Sequence, residues 1–254
     1  MKPYIDCITY ATNVKPGKKY TRCIPDGSAY LTISLDPTKR SLQDNNAVQL
    51  QHYWFVVSQL KQSTFISENN TAGLEIKFKA GALYLLTRIP QHEFSNNYID
   101  ASLILGRTIY STREELINKD AADINADFLV NIFGKYLDNR DTLKDERLIS
   151  FFESIANSPL SSSVTKSGFS QKHFIHFFKQ HFGITPKKYL RIKRFNQLTY
   201  ELIRKTDVDW QELIFKYDFF DQSHLIKEFY NFSDLSPTEY LKFRTDNPRY
   251  LLMD

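Results

Sequence analysis

The stretch SQKHFIHFFKQHFGITPKKYL, residues 170–190, recurs 51 positions later as DQSHLIKEFYNFSDLSPTEYL, residues 221–241. The matched pairs are His173 with His224, Phe174 with Leu225, Phe178 with Phe229, Gly183 with Asp234, Pro186 with Pro237, Tyr189 with Tyr240 and Leu190 with Leu241. Two copies are too few for a solenoid, so the self-match predicts a small helical unit that has been duplicated.

The first copy has the sequence pattern of a capped helix. Ser170 is a good N-cap, and Phe174, Phe178 and Phe182 follow it as an apolar stripe at four-residue spacing. Gly183 suits a left-handed C-cap, and Thr185-Pro186 suits the start of the next helix. A short helix, a turn near Gly168 and this helix together predict a helix-turn-helix unit.

The second copy repeats that pattern with different residues. Asp209 is an N-cap for a helix that ends before Tyr217, and Ser236-Pro237-Thr238-Glu239 is a capping box with proline at N1. A long helix from Pro186 to about Arg204 is predicted to join the two units.

The two copies differ in charge. Residues 158–205 contain ten Lys and Arg and one acid, Glu201, whereas residues 206–245 contain four basic and eight acidic side chains. Residues 1–157 are neutral, with 18 of each sign. A basic segment of this density is typical of a protein that binds a polyanion.

Glycine is scarce, at eight residues in 254. None of them forms the G-x-G-x-x-G or G-x-x-x-x-G-K-[ST] loop of a nucleotide site, so those folds are excluded. Because no glycine follows Gly183, the second unit is expected to use Asp218 and Asp234 where the first uses Gly168 and Gly183.

The first 110 residues are mainly β in pattern. Residues 29–35, 53–58 and 74–79 are predicted strands, two of them with strict alternation, which favours a small antiparallel barrel or sandwich. A short helix is expected over 82–89 and another over 112–119. An apolar stripe from Ile124 to Leu137 predicts a third helix. Packing of this stripe on the core and contact with a second subunit are both open. Residues 138–145 are the predicted domain boundary.

The repeat resembles the DNA-binding part of AraC-type transcription regulators. The residues that carry the resemblance are Gly168-Phe169-Ser170, Gly183-Ile184-Thr185-Pro186, Phe219-Phe220-Asp221-Gln222-Ser223-His224 and Ser236-Pro237. Ile24-Pro25-Asp26-Gly27 and Phe78-Lys79-Ala80-Gly81 resemble the cupin-like domain fused to one branch of that family, with Ala80 where proline is usual.

The resemblance implies an α+β protein. We expect a cupin-like β-barrel domain over 1–110, a helical connector or dimerisation segment over 111–140, and an all-α domain over 141–254. The latter holds helix-turn-helix units at about 158–190 and 208–241. In this family the second helix of each unit enters the major groove. The two helices enter about one helical turn of DNA, roughly 34 Å, apart.

Carried over by position, the resemblance predicts two sets of DNA contacts. Those expected to face bases are Ser170, Gln171, Lys172, Ile175, His176, Lys179, Gln222, Ser223 and Lys227. Those expected to contact phosphate are Lys187, Lys188, Arg191, Lys193 and Arg194. From the charge difference, the first unit is expected to dominate affinity and the acidic second unit to modulate it.

Other functions have weaker support. His173, His176 and His181 lack the further ligands of a metal site, and no triad or other catalytic set is present, so we expect neither a metal, a cofactor nor an enzyme. Tyr30, Tyr53, Phe55 and Phe78 are candidates for the lining of an apolar pocket for a small-molecule effector, although core filling is the commoner use of such residues.

The sequence also suggests partners and a compartment. Double-stranded DNA is the expected partner, and RNA polymerase, an effector and a second copy of the chain are candidates. Two cysteines, no signal-peptide pattern and no long apolar run predict a cytoplasmic protein with reduced thiols that does not enter a membrane. The alternative is a small-molecule-binding protein or enzyme whose helical half mediates protein contacts.

Overall fold

The strands of the N-terminal half form two antiparallel sheets. The computed structural model describes residues 4–13, 17–43, 50–68, 71–119 and 142–253. The first sheet has the order β1 (Ile5–Asn13), β7 (Thr71–Phe78), β3 (Ala29–Ser34), β5 (Tyr53–Val57) and β8 (Tyr98–Asp100). The second has the order β4 (Ser41–Leu42), β6 (Ser63–Glu68), β2 (Lys18–Cys23) and β9 (Tyr250–Met253). The predicted α+β class is confirmed, with two sheets in place of a closed barrel.

The alternation in the sequence corresponds to the faces of the first sheet. In β7, Leu74, Ile76 and Phe78 are buried while Glu75 and Lys77 are half-buried between them. All five side chains of β5 are buried, because this strand lies between β3 and β8 inside the sheet. These two strands contribute eight of the buried apolar side chains of the N-terminal half.

Three short helices follow the strands. They are α1 (Ala82–Thr87), α2 (Ser102–Leu105) and α3 (Thr108–Ile117), with a 3₁₀ turn at Gln91–Glu93 between the first two. The helix predicted over 82–89 is confirmed, and the one predicted over 112–119 begins four residues earlier. The stripe from Ile124 to Leu137 and residues 138–141 of the predicted boundary lie outside the described residues, and residues 142–145 of that boundary form the start of a helix.

Seven helices are described in the C-terminal half, and four of them begin at N-cap residues predicted from the sequence. They are α4 (Thr142–Ala156), α5 (Leu160–Ser167), α6 (Gln171–Phe182), α7 (Pro186–Leu202), α8 (Trp210–Lys216), α9 (Gln222–Ser233) and α10 (Pro237–Phe243). Ser170, Thr185, Asp209 and Ser236 each accept a hydrogen bond from a first-turn N–H, and Ser236 and Glu239 form the predicted capping box. Both helix-turn-helix units are therefore present.

The two units belong to different hydrophobic cores. Phe174, Phe178 and Phe182 of α6 are buried in one core with side chains of β3, β5 and β7. Phe229 and Phe232 of α9 are buried in a second core that is centred on α7. The first unit is thus packed as an extension of the N-terminal half, and the second is not.

The chain returns to the N-terminal half after α10. Strand β9 pairs antiparallel with β2, with Tyr250 opposite Cys23 and Met253 opposite Tyr20. The C-terminal half, expected to be all-α, therefore contributes a strand to the second sheet. Sequence patterns missed it because a four-residue strand is too short to show a period.

A buried charge cluster anchors this strand. Nη1 of Arg249 lies 2.6 Å from Oε2 of Glu75 on β7, and the Arg249 guanidinium lies 3.6 Å from the ring centre of Tyr30 on β3. The Tyr250 hydroxyl donates to the same Glu75 carboxylate at 2.5 Å. The chain segment after the second unit is therefore held to the first sheet by charge as well as to the second by pairing.

Within the described ranges, no helix combines the length and the apolar composition that crossing a bilayer requires.

Candidate nucleic-acid interface

The second helix of the first unit, α6, has one buried face and one polar face. Phe174, Phe178 and Phe182 are buried, and Ser170 closes the N-terminus by accepting the backbone N–H of His173 at 3.4 Å. The predicted base-facing residues Ser170, Gln171, Lys172, His176 and Lys179 are all exposed, and Ile175 is half-buried. The polar groups that sequence analysis assigned to DNA thus share the solvent side of this helix.

The second helix of the second unit, α9, has the same arrangement with fewer positive charges. Its N-cap Asp221 accepts the N–H of His224 at 2.7 Å, and Leu225, Phe229 and Phe232 are buried. The predicted base-facing residues Gln222, Ser223 and Lys227 are exposed. Both helices could therefore present side-chain donors and acceptors to base edges.

The turns of the two units have the same backbone conformation and different lengths. Gly168 and Asp218 are both left-handed, with φ of 68° and 53°. One residue separates Gly168 from its N-cap Ser170, whereas Phe219 and Phe220 separate Asp218 from its N-cap Asp221. The predicted replacement of glycine by aspartate at this turn, and at the C-cap Asp234 with φ 58°, is confirmed.

Two of the five predicted phosphate contacts are also ion pairs inside the protein. The buried carboxylate of Glu228 on α9, 3% exposed, bonds to Nη2 of Arg191 on α7 and lies 4.0 Å from Nη2 of Arg194. Nη1 of Arg194 also donates to the carbonyl of Asp218 at 2.9 Å, and its guanidinium lies 4.5 Å from the Phe219 ring centre. These arginines position the second unit on α7.

The remaining predicted phosphate contacts divide into two kinds. Lys187 and Lys188 are exposed in the first turn of α7. Lys193 instead donates to the Ala156 carbonyl at 3.3 Å and to the Asn157 side chain at the end of α4, and burial lowers the pKa of its ammonium group. Lys187 and Lys188 are thus the members of this group best placed for a phosphate.

Comparisons with known proteins agree with this geometry in the C-terminal half. Residues 164–242 match a family model described as a helix-turn-helix domain (HTH_18), which is of AraC type. The chain carries an AraC-type helix-turn-helix domain. Residues 1–100 match a model described as a domain of unknown function (DUF6597), which assigns no activity to the N-terminal half.

Solved structures of ToxT from Vibrio cholerae are similar along most of both chains. One has 12% identity over 93% of this chain and 97% of that chain, with a TM-score of 0.46. ToxT from strain O395 has 14% identity over 95% and 98%, with a TM-score of 0.44. Unsaturated fatty acid bound ToxT from strain SCE256 has 11% identity over 92% and 94%, with a TM-score of 0.45. These scores are too low to transfer a ligand or a function, and no curated protein matches by sequence.

The carboxyl end of α6 in the AraC-type domain is held by the N-terminal half. Ser58, which follows β5, donates through Oγ to the carbonyl of Phe182 at 2.5 Å, and Ser95 donates to the carbonyl of Gly183 at 2.7 Å. A Cβ at Gly183 would lie 2.4 Å from Ser95 Oγ, so only glycine allows this approach. We name Ser58, Ser95, Phe182 and Gly183 the α6 clamp.

The single acid of the basic segment has a structural role in the AraC-type domain. Glu201 near the end of α7 accepts hydrogen bonds from Lys216 and Tyr217 of the second unit, both at 2.7 Å, and lies 2.9 Å from Lys205. The bonds from Lys216, Tyr217 and Lys205 lower the pKa of Glu201 to about 2. The carboxylate thereby ties the second unit to α7.

A cavity of about 430 Å³ lies between the N-terminal half and the AraC-type domain. Of the four predicted pocket residues, Tyr30 and Phe78 line it, whereas Tyr53 and Phe55 are buried in the core. The clamp residues Ser58 and Phe182 form part of its wall. Further lining comes from Asp26, Glu75, Lys77, Tyr189, Lys193 and Arg249. It is therefore a cavity with a mixed polar and aromatic lining.

Sequence analysis overlooked the roles of Glu228 and Arg249. Glu228 follows Leu225 by three residues and precedes Phe232 by four, so helical spacing already placed it on the buried face of α9. A buried acid requires a cation, and that signal was available. No such periodic signal marks Arg249, whose partner Glu75 is 174 residues away.

The parts of the chain that the structure describes contain no group of three or more His, Cys, Asp or Glu side chains placed to hold a metal ion.

Proposed function

We propose that the protein is a sequence-specific regulator that inserts α6 and α9 in successive major grooves of duplex DNA. Support comes from the shared arrangement of the two helices, each with a side-chain N-cap, a buried apolar face and exposed polar residues in its first turns. Lys172 and Lys179 suit guanine, Gln222 suits adenine, and the exposed face of Ile175 suits a thymine methyl group.

The first unit supplies most of the affinity in this proposal. Lys172 and Lys179 on α6, with Lys187 and Lys188 at the start of α7, are exposed and none of them is in an ion pair that the structure describes. In the second unit, Lys227 is accompanied by the exposed acids Asp218 and Asp221. Phosphate attraction therefore favours the first unit, and base contacts are the main contribution of the second.

The N-terminal half sets the position of α6 and senses an effector in the same proposal. The α6 clamp and the cavity between the halves support this role, because a molecule in the cavity would touch Ser58 and Phe182 directly. A shift of those residues would move the end of α6, and with it the base-facing side chains. A homodimer and a contact with RNA polymerase remain predictions.

The test is DNA binding by the full chain as a function of salt. We expect selection from random duplexes to enrich a preferred sequence, bound with a steep salt dependence. Lys187→Ala combined with Lys188→Ala should weaken binding and reduce the log–log salt slope by about 1.8, which is 0.9 per lost phosphate contact. If these lysines contact bases alone, affinity falls while the slope stays.

A matched variant controls for net charge. Lys39→Ala combined with Lys61→Ala removes the same charge from exposed positions of the N-terminal half and should leave binding unchanged. Gln222→Ala should alter base preference with a smaller loss of affinity. An enzyme or carrier whose helices only contact protein would show neither a salt slope nor a preferred sequence. Loss of binding in Gln222→Ala, with none in the double lysine variant, would reverse the order of the units.

A further inference from the structure

Phe220 is a fully exposed aromatic side chain beside the second recognition helix. It immediately precedes the N-cap Asp221, and 91% of its surface is accessible to solvent. The exposed ring offers an apolar surface to a partner, between the polar residues Asp218 and Gln222. Its neighbours in the chain are the residues that we assign to base contacts.

The equivalent aromatic residue of the first unit is packed against its own helix. Phe169 lies just before N-cap Ser170, and its ring stacks on His173 at 4.4 Å and contacts Phe177 at 5.3 Å between ring centres. In the second unit Phe219 takes the packed position, 6% exposed, with its ring 5.4 Å from His224. Phe220 is thus the additional residue of the longer turn, and it has no packing site.

The backbone that carries Phe220 is held on both sides. The N–H of Phe220 donates to Nδ1 of His224 at 3.2 Å, and the N–H of Phe219 donates to the carbonyl of Ile214 at 2.9 Å. Asp221 is fixed in turn by its bond to the His224 N–H. The ring therefore projects from an ordered turn, so little backbone entropy would be lost when it makes a contact.

We propose that Phe220 is a specificity-determining residue that contacts the C5-methyl group of a thymine in the major groove. This inference rests on the proposed function, since it requires α9 to lie in a groove. The methyl group of thymine is the apolar feature of the groove floor, and phenylalanine is one of the side chains that contact it.

Charge favours the groove floor over the backbone for this contact. The exposed carboxylate of Asp218 and the capping carboxylate of Asp221 flank Phe220 and disfavour a nearby phosphate. An apolar contact with a base edge carries no such repulsion. Near the same acids, Phe220 could instead contact the surface of another protein. The experiment separates a DNA contact from a protein contact.

The test removes the methyl group from the DNA and the ring from the protein. After selection of a preferred duplex with the full chain, each thymine is replaced singly by deoxyuridine, which lacks only the C5-methyl group. We expect one replacement opposite the second unit to weaken wild-type binding about fourfold, the value of one buried methyl group. Phe220→Ala should bind the unmodified duplex more weakly and lose the response to that replacement.

Phe215→Ala is the matched control. Phe215 on α8 is also 90% exposed, but it lies on the first helix of the unit, so this variant should keep the uracil response. Both variants should retain the wild-type unfolding midpoint because neither ring is buried. The proposal is overturned if Phe220→Ala responds to uracil at every thymine as the wild type does. It is also overturned if Phe220→Ala binds DNA like the wild type and instead loses a contact with another protein. A wild-type chain with no preferred sequence would overturn the proposed function and this inference with it.

Discussion

The two helix-turn-helix units come from one repeat and are held in place by different parts of the molecule. The first packs its phenylalanine stripe into the core of the N-terminal sheet, and the α6 clamp fixes the end of its recognition helix. The second packs on α7 and is positioned by ion pairs, with Glu228 between Arg191 and Arg194. Apolar packing therefore links the first unit to the N-terminal half, whereas apolar packing and ion pairs together link the second unit to α7.

This difference suggests how the molecule could be regulated. Movement in the N-terminal half would reach α6 directly, through shared side chains and two carbonyl groups. It would reach α9 through α7, or through β9 and the buried Arg249–Glu75 pair. In the proposed function, the basic first unit is therefore coupled to the cavity more directly than the acidic second unit, which would move with it.

The largest expected effect comes from removing equivalent core rings in the two units. Phe178 and Phe229 are repeat partners, and both are almost completely buried. Phe178→Ala and Phe229→Ala should each lower the free energy of unfolding by about 3–5 kcal/mol, which denaturant titration measures. Hydrogen exchange should differ between them, because the rings belong to different cores.

Phe178→Ala should speed exchange in α6 and also in β5, whose side chains share its core. Phe229→Ala should speed exchange in α8, α9 and α10 while β5 remains protected. Equal acceleration of β5 and α9 in both variants would mean that the two units unfold as one, and the distinction between them would not hold.

A smaller effect of opposite sign is expected at the two turns. An added Cβ at Gly168 would meet no heavy atom within 4 Å, so Gly168→Ala should cost only the strain of a left-handed alanine, about 1–2 kcal/mol. Asp218→Gly should stabilise the second unit, by less than the roughly 1–2 kcal/mol of strain in a left-handed L-residue, because glycine adopts φ of 53° without that strain but loses more backbone entropy on folding. Arg194 bonds to the carbonyl of residue 218, which glycine retains. Thermal unfolding of both variants checks the signs; a destabilising Asp218→Gly would assign the aspartate side chain a favourable contact.

The features that sequence analysis predicted are those encoded within one or two turns of helix. Ser170, Gly183 and the Ser236 capping box act on neighbouring backbone groups, so their roles could be assigned from spacing. The pairing of β9 with β2 could not, because its partners are separated by more than 200 residues and its four residues show no period. In the site, the exposure of the polar face of α6 could be predicted, because the apolar stripe defines the opposite, buried face. The ion pairs of Glu228 with Arg191 and Arg194 could not be predicted, because they depend on how α7 and α9 pack.

The smallest expected effect concerns one position at which the first unit has a titratable side chain and the second unit does not. His181 is buried on α6 among the rings of Tyr84, Phe152 and Phe177, and its repeat partner in α9 is Phe232. Burial holds the pKa of His181 below its usual value. As the pH falls through about 6.5, the unfolded chain takes up a proton that the native chain does not, so the free energy of unfolding decreases.

His181→Phe places the side chain of the second unit in the first and should remove this part of the pH dependence. At pH 8, where histidine is neutral in both states, the variant and the wild type should have similar stability, since the site is already lined by aromatic rings. Urea titrations at pH 8 and pH 5.5 give the comparison, because every other titrating group is common to the two proteins and cancels in the difference. A wild type that loses no more stability than His181→Phe on acidification would mean that His181 is protonated in the native state. In that case the cavity side of α6 would have to admit water, and the first unit would be less tightly packed on the N-terminal half than the second is on α7.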